Sequence, residues 1–146
     1  MKKIYLSVVC LLISIPLIAQ LYVEPEKEVE CSVFLAKEGR GRAQQGLEIW
    51  DDYIFSCEDG GHVNIYDFKS ADPKPVAGFE LASSHPDNHV NNVCFGVETK
   101  RGASFPLLYI TNGKVGSELE WLCFVESITR RGKRFSSEIA QTIELD

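Results

Sequence analysis

The 146-residue chain lacks the excess of Lys and Arg residues that proteins binding nucleic acids or anionic membranes carry. Its 15 Lys and Arg residues stand against 21 Asp and Glu residues, which gives a net charge of −6. Nucleic-acid binding and anionic-membrane binding both need a concentrated basic face, so this balance argues against either role. We interpret the one basic cluster, Arg130, Arg131, Lys133 and Arg134 around Gly132, as a solvated hairpin tip and not as an anion site.

Signatures of catalysis and metal binding are also missing from the sequence. It contains no Gly-x-Ser-x-Gly elbow, no His-Glu-x-x-His pair and no phosphate-binding loop. Cys-x-x-Cys and Cys/His spacings of the zinc type are absent too. We therefore expect no resident cofactor, and a binding protein is better supported than an enzyme.

Helical periodicity is the third absence, since no long stretch of residues 47–145 keeps a 3.6-residue period. Short runs rich in Ile, Val, Phe and Tyr alternate with Gly, Pro, Asn and Asp. This pattern is typical of an all-β protein. The length allows one domain once any targeting segment is set aside.

Residues 1–20 predict a secretory signal peptide. Lys2 and Lys3 precede an apolar run at residues 4–19, which matches the charged and apolar regions of such a leader. We therefore expect export to the periplasm, the cell surface or the medium, with no membrane span once the leader is cleaved. A retained anchor is the alternative, because residues 4–23 are long enough to cross a bilayer. Residues 21–44 predict a polar linker and an isolated N-terminal strand.

The rest of the chain predicts two successive antiparallel four-stranded meanders. The predicted strands are Leu47–Trp50, Tyr53–Cys57, His62–Phe68 and Val76–Leu81, then Val90–Phe95, Leu107–Thr111, Glu120–Ile128 and Ser136–Leu145. Asp59-Gly60 between two apolar runs is a strong hairpin signal, because glycine accepts a positive φ at no steric cost. Residues 121–125 are all apolar, so we expect that strand to be covered on both faces and Trp50 and Trp121 to pack in the core.

Four cysteines remain if the leader, which contains Cys10, is removed: Cys31, Cys57, Cys94 and Cys123. In an oxidising compartment they permit two disulfides in any of three connectivities. Each of them lies in an apolar, strand-like segment, where a free cysteine behaves as a small hydrophobe. We favour buried thiols over disulfides.

Five short motifs mark the meanders: Gln45-Gly46, Asp52–Phe55, Gly61–Phe68, Asn88–Asn92 and Phe105–Ile110. Together they resemble the blade motifs of a family of secreted bacterial β-propellers. The resemblance covers residues 45–145 and implies a partial propeller. Its two blades would span about residues 45–82 and 89–146, with an extra strand N-terminal to them.

The blade count has a consequence for assembly, because propellers close with at least about four blades. Two blades cannot close a ring, and a blade without a neighbour exposes an apolar face that invites self-association. Either the chain is the N-terminal part of a longer, truncated propeller, or several copies assemble into a ring. A closed barrel or a sandwich is the third option.

A polar segment between the two predicted blades holds the candidate ligand-binding residues. They are His85, Asp87, His89, Asn91 and Asn92. The resemblance implies a position at the innermost strand, beside the central channel. The side-chain oxygens of the Asp and Asn residues suit a hard cation such as calcium, and the histidines suit a general base or a sugar-contacting donor. The alternative interpretation is that these are ordinary turn formers.

Two function classes follow from these observations. The first, which we favour, is an exported binding or interaction module for a protein or glycan at the cell envelope. The second is part of a propeller hydrolase or lyase with a cation or substrate site in the central channel.

Overall fold

The computed structural model describes residues 43–72 and 74–145. The predictions made for the leader, for the linker and N-terminal strand up to residue 42, and for Cys31 lie outside these residues. Within the described part, no helix is long and apolar enough to span a membrane.

Eight strands form two separate antiparallel sheets. They are β1 Gln44–Trp50, β2 Tyr53–Glu58, β3 His62–Asp67, β4 Ala77–Glu80, β5 Asn92–Phe95, β6 Leu108–Thr111, β7 Leu122–Arg131 and β8 Arg134–Glu144. Each sheet has four strands in sequence order, β1-β2-β3-β4 and β5-β6-β7-β8. The described residues contain no helix. The all-β prediction and the two four-stranded meanders are therefore confirmed.

Tight turns set the register of the first sheet. Asp51, at φ +53°, turns β1 into β2, and Gly60 and Gly61, at φ +91° and +95°, turn β2 into β3. Most residue types are strained at positive φ, so two glycines at the second turn remove that cost. The resulting register places Phe55 opposite Ile65 on one face of the sheet. Strict alternation then sends these side chains to the same layer of the core.

The hydrophobic core lies between the two sheets. The first sheet contributes Phe55, Cys57, Val63, Ile65 and Phe79, and the second contributes Leu108, Ile110, Phe124, Ile128 and Phe135. Aromatic rings from both sides meet at its centre, where the Phe55 and Phe105 centroids are 5.2 Å apart in an edge-to-face arrangement. Strand β1 contacts β5, and β4 contacts β8. The sheets therefore stack with first strand on first strand and last strand on last strand.

Gly46 allows the two sheets to approach closely at their first strands. A Cβ atom at this position would lie 2.9 Å from the Val90 carbonyl oxygen and 2.9 Å from a Val93 methyl group. Any larger residue would push β1 away from β5, because backbone atoms cannot move aside as a flexible side chain does.

The prediction that Trp50 and Trp121 pack in the core is wrong. Trp121 is 62% exposed and Trp50 is 41% exposed. Trp121 precedes the first residue of β7, so only its neighbours from Cys123 onward are buried inside the sheet. Trp50 ends the edge strand β1 and packs edge-on against Phe95 at 5.7 Å. The expectation that residues 121–125 are covered on both faces holds only from Cys123 onward.

The cysteine prediction is confirmed in part. Cys57, Cys94 and Cys123 are all free thiols, and Cys57 and Cys123 are buried. Cys94 is exposed. It lies on the edge strand β5, on the face turned away from the first sheet, where no strand of the described chain covers it.

Candidate functional site

All three histidines of the chain lie at one end of the stacked sheets. His62 begins β3 just after the β2–β3 turn, and His85 and His89 lie in the β4–β5 connection. In a meander, the β2–β3, β4–β5 and β6–β7 connections emerge at the same end. This histidine end, residues 59–62, 81–91 and 112–121, contains most of the predicted site residues.

A small cleft of about 120 Å³ opens at the histidine end between His62 and His85. His62 Nδ1 lies 3.0 Å from Glu80 Oε1. The Ser84 hydroxyl donates to the Gly60 carbonyl at 2.7 Å and lies 3.4 Å from Glu80 Oε2. Within the described residues no hydrogen bond joins the Ser84 hydroxyl to a histidine, which is the pairing that activates a serine nucleophile.

Asp87 forms an ion pair with Lys114 of the β6–β7 connection. The hydrogen bond from Lys114 is the main cause that lowers the pKa of the Asp87 carboxyl, and positive charge at His85 and His89 acts in the same direction. The Asp87 backbone N–H donates to His85 Nδ1 at 3.1 Å. This bond closes the local turn, which keeps His85 and Asp87 next to each other at the histidine end.

His89 connects both sheets at this end. Its Nε2 lies 3.6 Å from Asp59 Oδ1 of the β2–β3 turn. Its backbone N–H donates to Asn112 Oδ1 of the β6–β7 connection at 2.9 Å. The position of the His89 ring therefore depends on the relative placement of the two sheets.

Asn91 and Asn92 lie apart from the other three predicted residues. The Asn91 side chain fills the space where a Cβ of Gly113 would lie, and Asn92 pairs with Thr111 in the sheet. Among the described residues, no hydrogen bond joins either asparagine to His85, Asp87 or His89. The structure thus brings together the histidines and Asp87, and it places the two asparagines on the β6 side.

Metal binding finds no further support at this end. Within residues 43–72 and 74–145, no group of three or more His, Cys, Asp and Glu side chains is arranged to hold a metal ion. The Asp87 carboxylate, the best hard-cation ligand of the predicted set, is bound by the Lys114 ammonium.

Asn88 shapes the loop and was not among the predicted site residues. It is fully buried, and its amide nitrogen donates to the Ser83 carbonyl at 3.0 Å. Its Oδ1 accepts the Val90 backbone N–H at 3.1 Å, while its own carbonyl accepts the Gly60 N–H at 2.7 Å. Val90 is held at φ +47°, which is unusual for a β-branched residue. Strain of this kind persists only where the surroundings determine the backbone, and the hydrogen bonds of Asn88 do so in this loop.

Glu126 is the second residue that sequence reasoning missed. It is fully buried on β7, where it accepts the backbone N–H groups of Ala82 at 2.9 Å and Ser83 at 2.8 Å. The Ser137 hydroxyl also donates to it. A signal was present in the sequence, because a lone acidic residue within the run Cys123 to Ile128 needs a buried partner.

No protein-family model matches the chain, and a comparison with curated proteins gave no significant match.

Proposed function

We propose that the chain is an exported, incomplete β-propeller that acts as a binding or interaction module at the cell envelope. The observation that carries this proposal is the stacking of two sequential meanders, with β1 on β5 and β4 on β8. Adjacent propeller blades pack in this order, because each blade is the same meander rotated about a common axis.

The strand order favours blades over a sandwich domain. Immunoglobulin-type sandwiches use Greek-key connections, in which strands cross from one sheet to the other. Here each sheet uses one continuous segment, and a single connection at residues 81–91 joins the two sheets. Further meanders joined by connections of the same kind would add further sheets to the stack.

Exposed apolar surface for such an addition is confined to the first strand of each outward face, because Ile54 and Tyr66, which share a face with Ile49, are only 3% and 2% exposed. On the first sheet, Leu47 and Ile49 of β1 are 56% and 45% exposed. On the second sheet, Cys94 is exposed beside the half-buried Tyr109. A second copy of this chain is the occupant we propose, since it supplies a meander of the same dimensions. Two copies give the minimum of about four blades.

The histidine end is where we place the binding surface for an envelope protein or glycan. Its polar side chains belong to three connections and are held by the Asn88 loop. Binding residues on loops that a rigid scaffold positions are a common arrangement in proteins. His85 and His89 offer imidazole donors, and the 120 Å³ cleft between His62 and His85 fits a single side chain or a small polar group.

Co-sedimentation with isolated bacterial cell envelopes tests this function. We expect the purified chain to pellet with the envelopes, and the double variant His85→Ala/His89→Ala to remain in the supernatant. Thr99→Ala, at an exposed position of the β5–β6 connection at the other end of the sheets, is the control and should pellet as the wild type does. A wild-type chain that stays in the supernatant, or a double variant that pellets equally well, would overturn the proposal.

A further inference from the structure

The β7–β8 hairpin presents a polar row on the face turned away from the first sheet. Three facing pairs form it: Ser127 with Glu138, Thr129 with Ser136, and Arg131 with Arg134. These residues line a cleft of about 570 Å³. The cleft lies at the opposite end of the sheets from the histidine end, because the β7–β8 turn and the β6–β7 connection are at opposite ends of β7.

Arg131 and Arg134 are a like-charged pair directly across the hairpin. Such pairs destabilise a sheet unless an anion lies between them. Neither guanidinium has a hydrogen bond or ion pair to any other residue in the described part of the chain. Arg130 differs, because it points to the other face, lies 4.9 Å from the Tyr53 ring centroid and donates to the Gly132 carbonyl at 2.8 Å. Only the outward arginines therefore keep all their donors available.

Ser127 supplies an independent observation at the inner end of the same cleft. The residue is 1% exposed, and its hydroxyl oxygen is buried without any hydrogen-bond partner in the described chain. A buried hydroxyl without a partner costs about 1–3 kcal/mol, so native proteins keep such a group rarely. A ligand oxygen in the cleft would satisfy it.

Glu138, the acidic residue of the polar row, does not repel an anionic ligand. Glu138 Oε1 lies 2.9 Å from Lys100 Nζ, so this carboxylate is already paired. The cleft then offers two guanidinium groups and three hydroxyls and retains no unpaired acid of its own.

Against the expectation of a solvated hairpin tip, we propose that this cleft binds a tetrahedral oxyanion, the phosphate or sulfate ester group of a ligand. Arginine forks match phosphate oxygens in pairs, and hydroxyls donate to the oxygens that remain. The Gly132-Lys133 turn positions the two arginines, because glycine at φ +64° in the first position of a two-residue loop suits the twist of the strands. The inference goes beyond the envelope-binding proposal and does not depend on it.

Titration of the full chain with inorganic phosphate and, separately, with sulfate tests the site, at constant ionic strength maintained with chloride. We expect saturable binding followed by calorimetry and by shifts of the Arg131 and Arg134 amide resonances. The preferred ion identifies the ester class. Arg131→Gln/Arg134→Gln should abolish binding. Ser127→Ala should weaken it by about tenfold or more, because it removes a hydrogen bond to a charged group.

Lys133→Gln is the control, because it removes one of the positive charges of the same hairpin at a residue that lines a different cleft. It should change the affinity by less than about twofold, as loss of a screened surface charge does. Ser127→Ala should also leave the unliganded chain at least as stable as the wild type, because it removes a buried hydroxyl that has no partner there, and this separates a ligand contact from a folding role. Absence of saturable binding by both ions, an equal loss in Lys133→Gln, or unchanged affinity in the arginine variant would overturn the proposal.

Discussion

The Glu126 carboxylate of β7 accepts the backbone N–H of Ser83 at 2.8 Å, across 43 residues of sequence. The same carboxylate accepts the Ala82 N–H at 2.9 Å. These bonds join the segment that leaves β4 to the middle of the second sheet. They fix the connection from which the histidine end is built.

Substitution of Glu126 should therefore destabilise the whole fold. Glu126→Ala leaves the Ser83 N–H without a partner and the Ala82 N–H with only a long bond of 3.4 Å to the Ser137 hydroxyl, and we expect a loss of about 3 kcal/mol in the free energy of unfolding. Urea denaturation measures this loss. Glu118→Ala, at an exposed position, should stay within about 0.5 kcal/mol of the wild type. Equal midpoints for the two variants would show that the carboxylate does not hold the connection.

Gly61 and Gly102 offer a matched pair of glycines. Both have a positive φ, +95° and +88°, but a Cβ at Gly61 would lie 2.8 Å from the Ser84 Cα, whereas Gly102 has no atom within 4 Å. Gly102→Ala should cost about 1–2 kcal/mol from backbone strain. Gly61→Ala should cost about 1–3 kcal/mol more, because the Ser84 backbone must also move. Equal losses in thermal unfolding would contradict close packing of the β4–β5 connection on the β2–β3 turn.

The Asp87–Lys114 pair predicts a pH dependence with a definite sign. Because Lys114 lowers the pKa of Asp87 in the folded state, the pair stabilises the fold above the unfolded-state pKa of about 4, and the contribution is lost as the pH falls through the lower folded value. Carboxyl-carbon NMR titration should show the Asp87 pKa rising in Lys114→Gln. A Lys74→Gln control should leave it unchanged. An identical titration in Lys114→Gln would show that the pair does not form in solution.

Thiol labelling separates the three described cysteines. Burial, followed by the nearby Glu126 charge, raises the pKa of Cys57 to about 12, and burial also raises the pKa of Cys123. Because the thiolate is the reactive form, neither should react in the native state at pH 8. Iodoacetamide should modify the exposed Cys94 first, as peptide mass spectrometry would show. Early modification of Cys57 without unfolding would contradict its buried position.

Strand order and turn positions could be read from the sequence because local signals determine them. The Asp59-Gly60 turn and the short apolar runs on either side of it depend only on neighbouring residues. Exposure at the sheet edges could not be read in this way. Trp121 is followed by apolar residues and Cys94 lies between two of them, and only the tertiary arrangement shows that both side chains are exposed.

The candidate site shows the same division between local and long-range information. His85, Asp87 and His89 are close in sequence, so their grouping was predictable. Lys114 is 27 residues from Asp87, and their ion pair depends on the stacking of two sheets. The polar row of the β7–β8 hairpin could not be predicted for a similar reason. Arg130 and Arg131 are adjacent in sequence and form one charge cluster there, but they point to opposite faces of the sheet.

The molar mass of the purified chain in solution shows whether its sheets associate with those of a second copy. Light scattering coupled to size-exclusion chromatography should give a mass of at least two chains, and Leu47→Lys/Ile49→Lys should shift the mass to that of one chain, since two charges then lie on an apolar interface. Val97→Lys/Val115→Lys, at exposed loop positions, should leave the assembly intact. A wild-type chain of monomer mass that unfolds in one cooperative transition would contradict the account.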